Sequence, residues 1–310
     1  MIIVTGGAGF IGSNLILALN ERGRSDILVV DDLSRGEKHR NLNRARFSDF
    51  LDKSALLGQL EHLNDVEAIF HQGACADTTQ SDGRYMLENN YEYSKRLLHY
   101  AERKGVRFIY ASSAAVYGDG SAGFREERPC EDPLNVYGFS KLVFDNYVRQ
   151  RLPHTKIPIV GLRYFNVYGP QEQHKGRMAS VTMHMFKQLQ TTGRMQLFEG
   201  SADFKRDFVH VDDVVAVNLF FLQSQARGIF NCGTGQARAF TDLAEALRRA
   251  AGRGEIEFIP FPPDLAGKYQ RFTAADLTQL RAAGYGAAFT PLEAGVARYY
   301  TQLRERGGYR

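Results

Sequence analysis

Met1-Ile2-Ile3-Val4-Thr5-Gly6-Gly7-Ala8-Gly9-Phe10-Ile11-Gly12 opens the chain and decides its fold. Ile2 to Val4, entered from Met1, have the make-up of a buried strand. They run directly into Gly6, Gly9 and Gly12 at a spacing of three. Ser13 to Asn20 then has the pattern of a helix, with Ile16, Leu17 and Leu19 as apolar positions. Strand, glycine turn and helix in that order aim backbone N–H groups at an anion on the helix N-terminus. The first glycine permits a tight turn, the second lets a pyrophosphate approach the backbone, and the third packs the helix on the sheet.

The next strand, Ile27 to Val30, ends in Asp31 and Asp32. A carboxylate about 20 residues past the glycine turn accepts hydrogen bonds from an adenosine ribose. Arg35 and Lys38 follow within a turn, and Lys53 adds to their charge. These bases suit the 2′-phosphate of NADP, whereas Asp31 suits NAD, so the residues alone leave both cofactors open.

Further strands are expected at Glu67–His71, opening onto Gln72-Gly73-Ala74-Cys75-Ala76, and at Arg107–Ala111, opening onto Ser112-Ser113. Helices are expected at Asn14–Arg22, Lys53–His62, Tyr85–Lys104 and Tyr137–Leu152. Strands alternating with helices predict an α/β fold with a parallel, doubly wound sheet, whose ligands sit beyond the carboxyl ends of the strands. The glycine-rich and hydroxyl-rich segments all lie at such ends. After Ile159–Leu162 the alternation breaks down. Tyr164–Lys175 reads as a loop, Ala179–Leu189 as a helix and Leu197-Phe198 as a short strand. Phe208–Val211 and Gly228–Asn231 read as strands rejoining the first domain. The tail, with Pro260, Pro262, Pro263 and Ala274–Ala283, suggests a smaller lobe. The expected division is a dinucleotide-binding domain of residues 1–167 with 207–236, and a substrate-binding lobe made mostly of 168–206 with 237–310.

Composition sets the limits. With 39 basic against 35 acidic residues the net charge is +4, too weak a balance to argue for nucleic acid. It does suit anionic ligands. Cys75, Cys130 and Cys232 are few, scattered and odd in number, so neither a disulfide framework nor a metal site is expected. No apolar run approaches the ~18 residues of a membrane span. The chain begins on a core strand, with no leader expected, and a reducing, cytoplasmic setting follows.

Tyr137-Gly138-Phe139-Ser140-Lys141 carries the chemistry. A Tyr and a Lys four apart on a helix share one face. A phenol that ionises near pH ~10 is a poor base at neutrality. A neighbouring ammonium and an oxidised nicotinamide both favour the phenolate. The tyrosine then takes a proton from an alcohol as hydride leaves for the cofactor. Ser113, after the preceding strand, completes a triad on the same oxygen.

The glycine turn, Ser113, Tyr137-x-x-x-Lys141, Arg163-Tyr164-Phe165-Asn166-Val167-Tyr168-Gly169-Pro170 and Arg206-Asp207-Phe208-Val209-His210-Val211-Asp212-Asp213 together resemble the extended short-chain dehydrogenase/reductases, the nucleotide-sugar epimerases and dehydratases. The likeness runs through essentially the whole chain. More specific are His174-Lys175-Gly176 before Met178-Ala179-Ser180, Phe198-Glu199-Gly200-Ser201, Lys205-Arg206-Asp207-Phe208, Gln72-Gly73-Ala74-Cys75 and Gly267-Lys268-Tyr269-Gln270. These are similar to the members that invert the exocyclic C6 carbinol of an ADP-heptose for the lipopolysaccharide inner core.

That resemblance implies tightly bound NADP, oxidation to a ketone and return of hydride to the opposite face. The nicotinamide is fixed, so the ketone turns, and its oxygen needs a second proton-transfer group. Lys175 is the candidate, with a phosphate-holding loop lysine as the alternative. A free lysine ionises near ~10.4, and burial in a cleft lowers that. By the same resemblance Gly6, Gly9, Phe10, Ile11, Gly12, Asp31, Asp32, Lys38, Lys53, Gln72, Gly73, Ala74, Cys75, Ala76, Asn89, Lys141, Val167 and Lys175 meet the cofactor, many through the backbone. Asn166, Arg177, His184, Phe198, Glu199, Gly200, Ser201, Arg206 and Tyr269 line the nucleotide-sugar site. Arg206 suits a diphosphate because its planar fork binds two oxygens at once; its alternative is an ion pair with Asp207 or Asp212. Phe198 and Tyr269 serve equally as core aromatics. Arg177 stands where the family has a small hydroxyl residue. A homopentamer is implied.

Two other functions compete. One is epimerisation at C4 of a UDP-hexose; elimination chemistry is disfavoured because Ala114 and Ala115, not an acidic pair, follow Ser113. The other is a non-catalytic cofactor sensor, which would have no need of Ser113, Tyr137 and Lys141 together.

Overall fold

The computed structural model describes residues 1–262 and 270–310. From the N-terminus the chain forms β1 (Ile2–Thr5), α1 (Phe10–Glu21), β2 (Ile27–Asp31), β3 (Asp49–Asp52), α2 (Lys53–Gln59) and β4 (Ala68–His71). There follow α3 (Gly83–Leu87), α4 (Tyr93–Lys104), β5 (Arg107–Ser113), α5 (Val136–Arg151), β6 (Ile159–Tyr164) and β7 (Asn166–Tyr168). Next come α6 (Val181–Thr191), β8 (Arg194–Phe198), β9 (Lys205–His210), α7 (Val211–Gln223), β10 (Gly228–Cys232) and β11 (Ala237–Ala239). The last are α8 (Phe240–Ala251), β12 (Glu255–Ile259), α9 (Thr278–Ala282) and α10 (Leu292–Arg306).

Seven strands pair in the order β3-β2-β1-β4-β5-β6-β10, every pair parallel. Because strand side chains alternate, both faces of the sheet are apolar. Ile2, Val4, Ile27, Val29, Phe70, Ile109 and Val160 pack with Leu15, Ile16 and Val214 on one side. Ile3, Leu28, Val30, Ile69, Phe108 and Ile159 pack with Leu97, Leu98, Phe144 and Val148 on the other. Each such fully buried aliphatic contributes about 1.5–3 kcal/mol. The strand order reverses between β1 and β4, which places the ligand crevice at the carboxyl ends of those two strands.

The structure corrects the sequence reading in four places. Asp49–Asp52 is a strand that the sequence did not announce: it is a half-exposed edge with an acid at each end, and so carries little apolar signal. Tyr85–Lys104 is not one regular helix, because residues Glu88–Glu92 form a wide π turn between α3 and α4. Residues 164–175 are not all loop, since Asn166–Tyr168 is a strand. Lys205–His210 does not rejoin the main sheet; it pairs with β7 and β11 in a separate three-stranded sheet. Only Gly228–Cys232 returns to the main one.

A separate core, holding Met183, Met195, Leu197, Phe208, Phe240, Leu247, Tyr299 and Leu303, is built by α6, β8, β9, α8 and α10. Leu280 and Tyr285 of the tail bury in the main core instead. Among the described residues no helix is long and apolar enough to cross a membrane, and no cluster of His, Cys, Asp and Glu is placed to hold a metal.

Three histidines are held in the neutral form. Burial lowers His71 to about 3, His210 to about 3 and His174 to about 4, from an ordinary 6.5, with nearby cations adding to each. In that window the unfolded chain binds more protons than the folded one. Stability is therefore full above pH 6.5 and lost as pH falls toward 4, by up to about 1.4 kcal/mol per pH unit for each group. Urea unfolding at pH 7 and pH 5 reads this; equal midpoints at the two pH values would refute it.

Candidate active site

Gly6 turns the chain at a φ of +66°, a conformation that costs glycine little. A Cβ there would meet the Gly73 backbone at 2.6 Å, and one on Gly12 would sit 2.2 Å from the Gly6 carbonyl oxygen. The glycine turn and the segment after β4 therefore touch backbone to backbone. Gly9 is the N-cap of α1 and supplies no side-chain cap, so first-turn amides stay available to an anion. A cradle that any Cβ would fill, beside an uncapped helix start, fits a dinucleotide's pyrophosphate.

At the end of β2, Asp31 accepts from the Ala8 N–H at 2.8 Å and from the Lys38 ammonium. Lys38 also donates to the Asp32 carbonyl at 2.7 Å. Lys53 pairs with the Asp32 carboxylate at 3.3 Å and donates to Asn89 at 3.4 Å. Asp31, Asp32, Lys38, Lys53 and Asn89 thus form one cluster, with a cation on either side of the acids. Hydrogen bonds from Ser34, with Lys53 beside them, hold the Asp32 carboxyl down at about 2. The Gln72 side chain is taken by the Tyr164 hydroxyl at 3.0 Å and Asn218 at 3.1 Å. It is therefore bonded into the protein.

Ser113 closes β5, and Tyr137 and Lys141 occupy the first turns of α5, whose N-cap Asn135 accepts from the Gly138 N–H at 2.8 Å. Burial pushes the Tyr137 phenol up, while its hydrogen bond with Ser113 opposes that shift. Lys141 is 6% exposed and donates to the Ala111 carbonyl at 2.8 Å. Burial draws its ammonium down to about 8 against the pull of Asp145. Cys75 lies near both side chains.

Lys175 lies on the 3-10 turn Gln173–Met178 with its ammonium 5.0 Å from the Phe10 ring centroid. It stands over the start of α1, and burial lowers its pKa against the pull of Glu172. No hydrogen bond joins it to Tyr137 among the described residues. Arg177 is bonded to Asp77 at 2.7 Å and Thr79 at 2.6 Å. It thereby bridges the segment after β4 to the Lys175 turn, and His184 lies 3.3 Å from its carbonyl.

The remaining expected substrate residues that the structure describes lie on β7, at the end of β8, on β9 and in the stretch between β8 and β9. Asn166 is exposed and accepts from Thr273 at 3.4 Å. Val167 packs against the main core. Phe198 meets Phe261 edge-on at 5.4 Å. Glu199 is exposed, Gly200 has a φ of +78°, and Ser201 is buried with a hydroxyl lacking a partner among the described residues. Arg206 lies over Phe240 and donates to the Lys205 and Gln270 carbonyls. The Asp207 carboxylate accepts from Thr234, Gly235 and Ala275. Tyr269, with Gly267 and Lys268, lies outside the described residues.

The sequence reading missed the groups that hold this site in shape. Asp145 receives Tyr110 at 2.8 Å, Ser112 at 2.9 Å and the wholly buried Arg163 at 2.9 Å. It follows Lys141 by four residues, so helical spacing was the one available signal. Asn90, in the π turn, accepts from the Cys75 N–H at 2.8 Å and donates to the Cys75 carbonyl and the Ser140 hydroxyl, each at 3.0 Å. Asn41 donates to the Ala8 carbonyl at 2.9 Å and the Gln171 carbonyl at 3.1 Å. Glu172, fully buried, accepts from the Ser180 N–H and hydroxyl, each at 2.6 Å, and from Tyr299 at 3.0 Å.

Residues 2–233 match the family described as "NAD dependent epimerase/dehydratase family". The chain belongs to that family. This epimerase/dehydratase is 54% identical, over 100% of its length and 99% of the relative's, to the ADP-L-glycero-D-manno-heptose-6-epimerase of Brachyspira hyodysenteriae (strain ATCC 49526 / WA1). Its fold is similar to the crystal structure of ADP-L-glycero-D-manno-heptose-6-epimerase from Helicobacter pylori, with a TM-score of 0.86 and 31% identity covering 98% of this chain and 96% of that one. It is also similar to the UDP-glucose 4-epimerase of Thermus thermophilus in complex with NAD, with a TM-score of 0.82 and 28% identity covering 98% and 99% of the two chains. The doubly wound fold read from the first strand and turn, and the nicotinamide cofactor class, are those of the family.

Proposed function

We propose that this epimerase/dehydratase inverts C6″ of ADP-D-glycero-β-D-manno-heptose to give ADP-L-glycero-β-D-manno-heptose, by way of the 6″-ketone. The full-length 54% identity to a protein of that activity carries the reading. The bound nicotinamide supplies the acceptor, and then the donor, of the hydride. Tyr137, steadied by Ser113 and with Lys141 one turn along the same helix face, exchanges the proton of the C6″ hydroxyl in one orientation of the sugar. Lys175 does so in the other. The depressed pKa of Lys175 supports that role, because a desolvated ammonium gives up its proton more readily. Phe10, Ile11 and Gly12 present their amides to the cofactor's pyrophosphate, and Arg206 meets the diphosphate of the sugar nucleotide. The product feeds the inner core of lipopolysaccharide in the cytoplasm, and the working enzyme is a homopentamer.

Incubation with ADP-D-glycero-D-manno-heptose and chromatographic separation of the two epimers tests the reading. Turnover of UDP-galactose with ADP-heptose left unchanged would overturn it in favour of a 4-epimerase.

NADP is the proposed cofactor, on the ground that Lys38 and Lys53 flank the acids at the end of β2. Lys38→Met then weakens NADP by about tenfold or more, the scale of a lost charge-assisted contact to phosphate. NAD binding changes far less. Calorimetry with both dinucleotides measures this, and an equal loss for the two would argue against a 2′-phosphate at Lys38.

A further inference from the structure

α1, the segment before β3, the start of α7 and the end of α10 line an open concavity of about 470 Å³. Four arginines line it, Arg44, Arg46, Arg306 and Arg310, against two carboxylates, Glu21 and Asp212. Asp212 is already shared by Arg310 and Arg298, which leaves the concavity with excess positive charge. Neither Arg44 nor Arg306 has a carboxylate within ion-pair distance among the described residues, and both are exposed. The Arg310 Nε is buried with no acceptor among the described residues. Such a donor calls for an acceptor to complete it. Like charges gathered into one cleft also raise the local concentration of anions.

We propose that this concavity binds a small phosphate-rich anion of pyrophosphate type, at a site separate from that of the cofactor and sugar nucleotide. The lining favours phosphate over a whole nucleotide, because Leu17 is its one apolar side chain and no aromatic ring is present to stack a base. Arginine forks match phosphate oxygens in pairs. The site is joined to the Lys175 turn through the backbone. The Gly308 carbonyl accepts from the Gln171 N–H at 2.8 Å, and the Gly307 carbonyl accepts from the Gln173 side chain at 2.6 Å. Arg310 adds a bond from its N–H to the Gln171 side chain at 3.4 Å. An anion that draws Arg310 from Asp212 would therefore act on the segment that carries Lys175.

The test uses the full chain saturated with its nicotinamide cofactor and with ADP, so that the phosphate subsites of the active site are filled. Inorganic pyrophosphate is then titrated by calorimetry. One equivalent binds, and Arg44→Gln/Arg306→Gln weakens it by about tenfold or more, as expected for lost charge-assisted contacts. Epimerase activity of that exposed double variant stays at the wild-type level. No binding to the saturated enzyme, or binding unaltered in the double variant, would overturn the proposal. The inference is independent of which sugar nucleotide the active site takes.

Discussion

Tyr137→Phe lowers the rate of epimerisation by about 10²–10⁴-fold, the range of a lost general base, while cofactor and sugar nucleotide still bind. The reason lies in how little else the phenol oxygen does. Its hydrogen-bond partner is Ser113, which keeps a second bond from the Ala115 N–H at 3.2 Å when the hydroxyl is gone. The ring remains, and α5 keeps its Asn135 cap. Burial drives the phenol away from ionisation and the Ser113 hydrogen bond opposes that shift, so the phenolate depends on positive charge brought near it. Steady-state rates beside calorimetric affinities measure the split. Activity within about tenfold of wild type would remove Tyr137 from proton transfer, since that is less than a positioned base contributes.

Lys175→Met separates the two half-reactions. A second base serves one epimer and leaves the other to Tyr137. Net inversion should fall by about 10²–10⁴-fold, with one of the two ADP-heptose epimers still reducing bound cofactor in a single turnover. The position of the ammonium over Phe10 makes the alternative concrete. A lysine that merely held the cofactor's phosphates would weaken the dinucleotide and slow both epimers alike. Absorbance of the reduced cofactor, followed with each epimer in turn, distinguishes the two roles. Symmetric loss would sink the two-base scheme.

Most of the main domain was legible because its signals are local. β1, β2, β4, β5 and β6 are short apolar runs between turn residues, and Tyr137 with Lys141 needs only the geometry of a single helix. What escaped was either polar or non-local. β3 is an acid-flanked edge strand. The separate sheet of β7, β9 and β11 requires well-separated stretches of the chain to meet, as Asn166 meets Phe208 and Ala237 meets Asp207. The π turn at Glu88–Glu92 has no composition of its own, and its Asn90 acquires meaning from a bond to Cys75.

The amino-acid order alone determined the strand, turn and helix at the start of the chain, and the helix that bears Tyr137 and Lys141. Each needs only neighbours in sequence and the sterics of glycine. Tertiary packing decided the charge states and the supports. Lys141 falls to about 8 because the fold buries it. Glu172 reaches Tyr299, and Asn41 reaches Gln171, only when distant segments close. A side chain's pKa and hydrogen-bond partners depend on the water removed and the groups brought near, and neither is written in the adjoining residues.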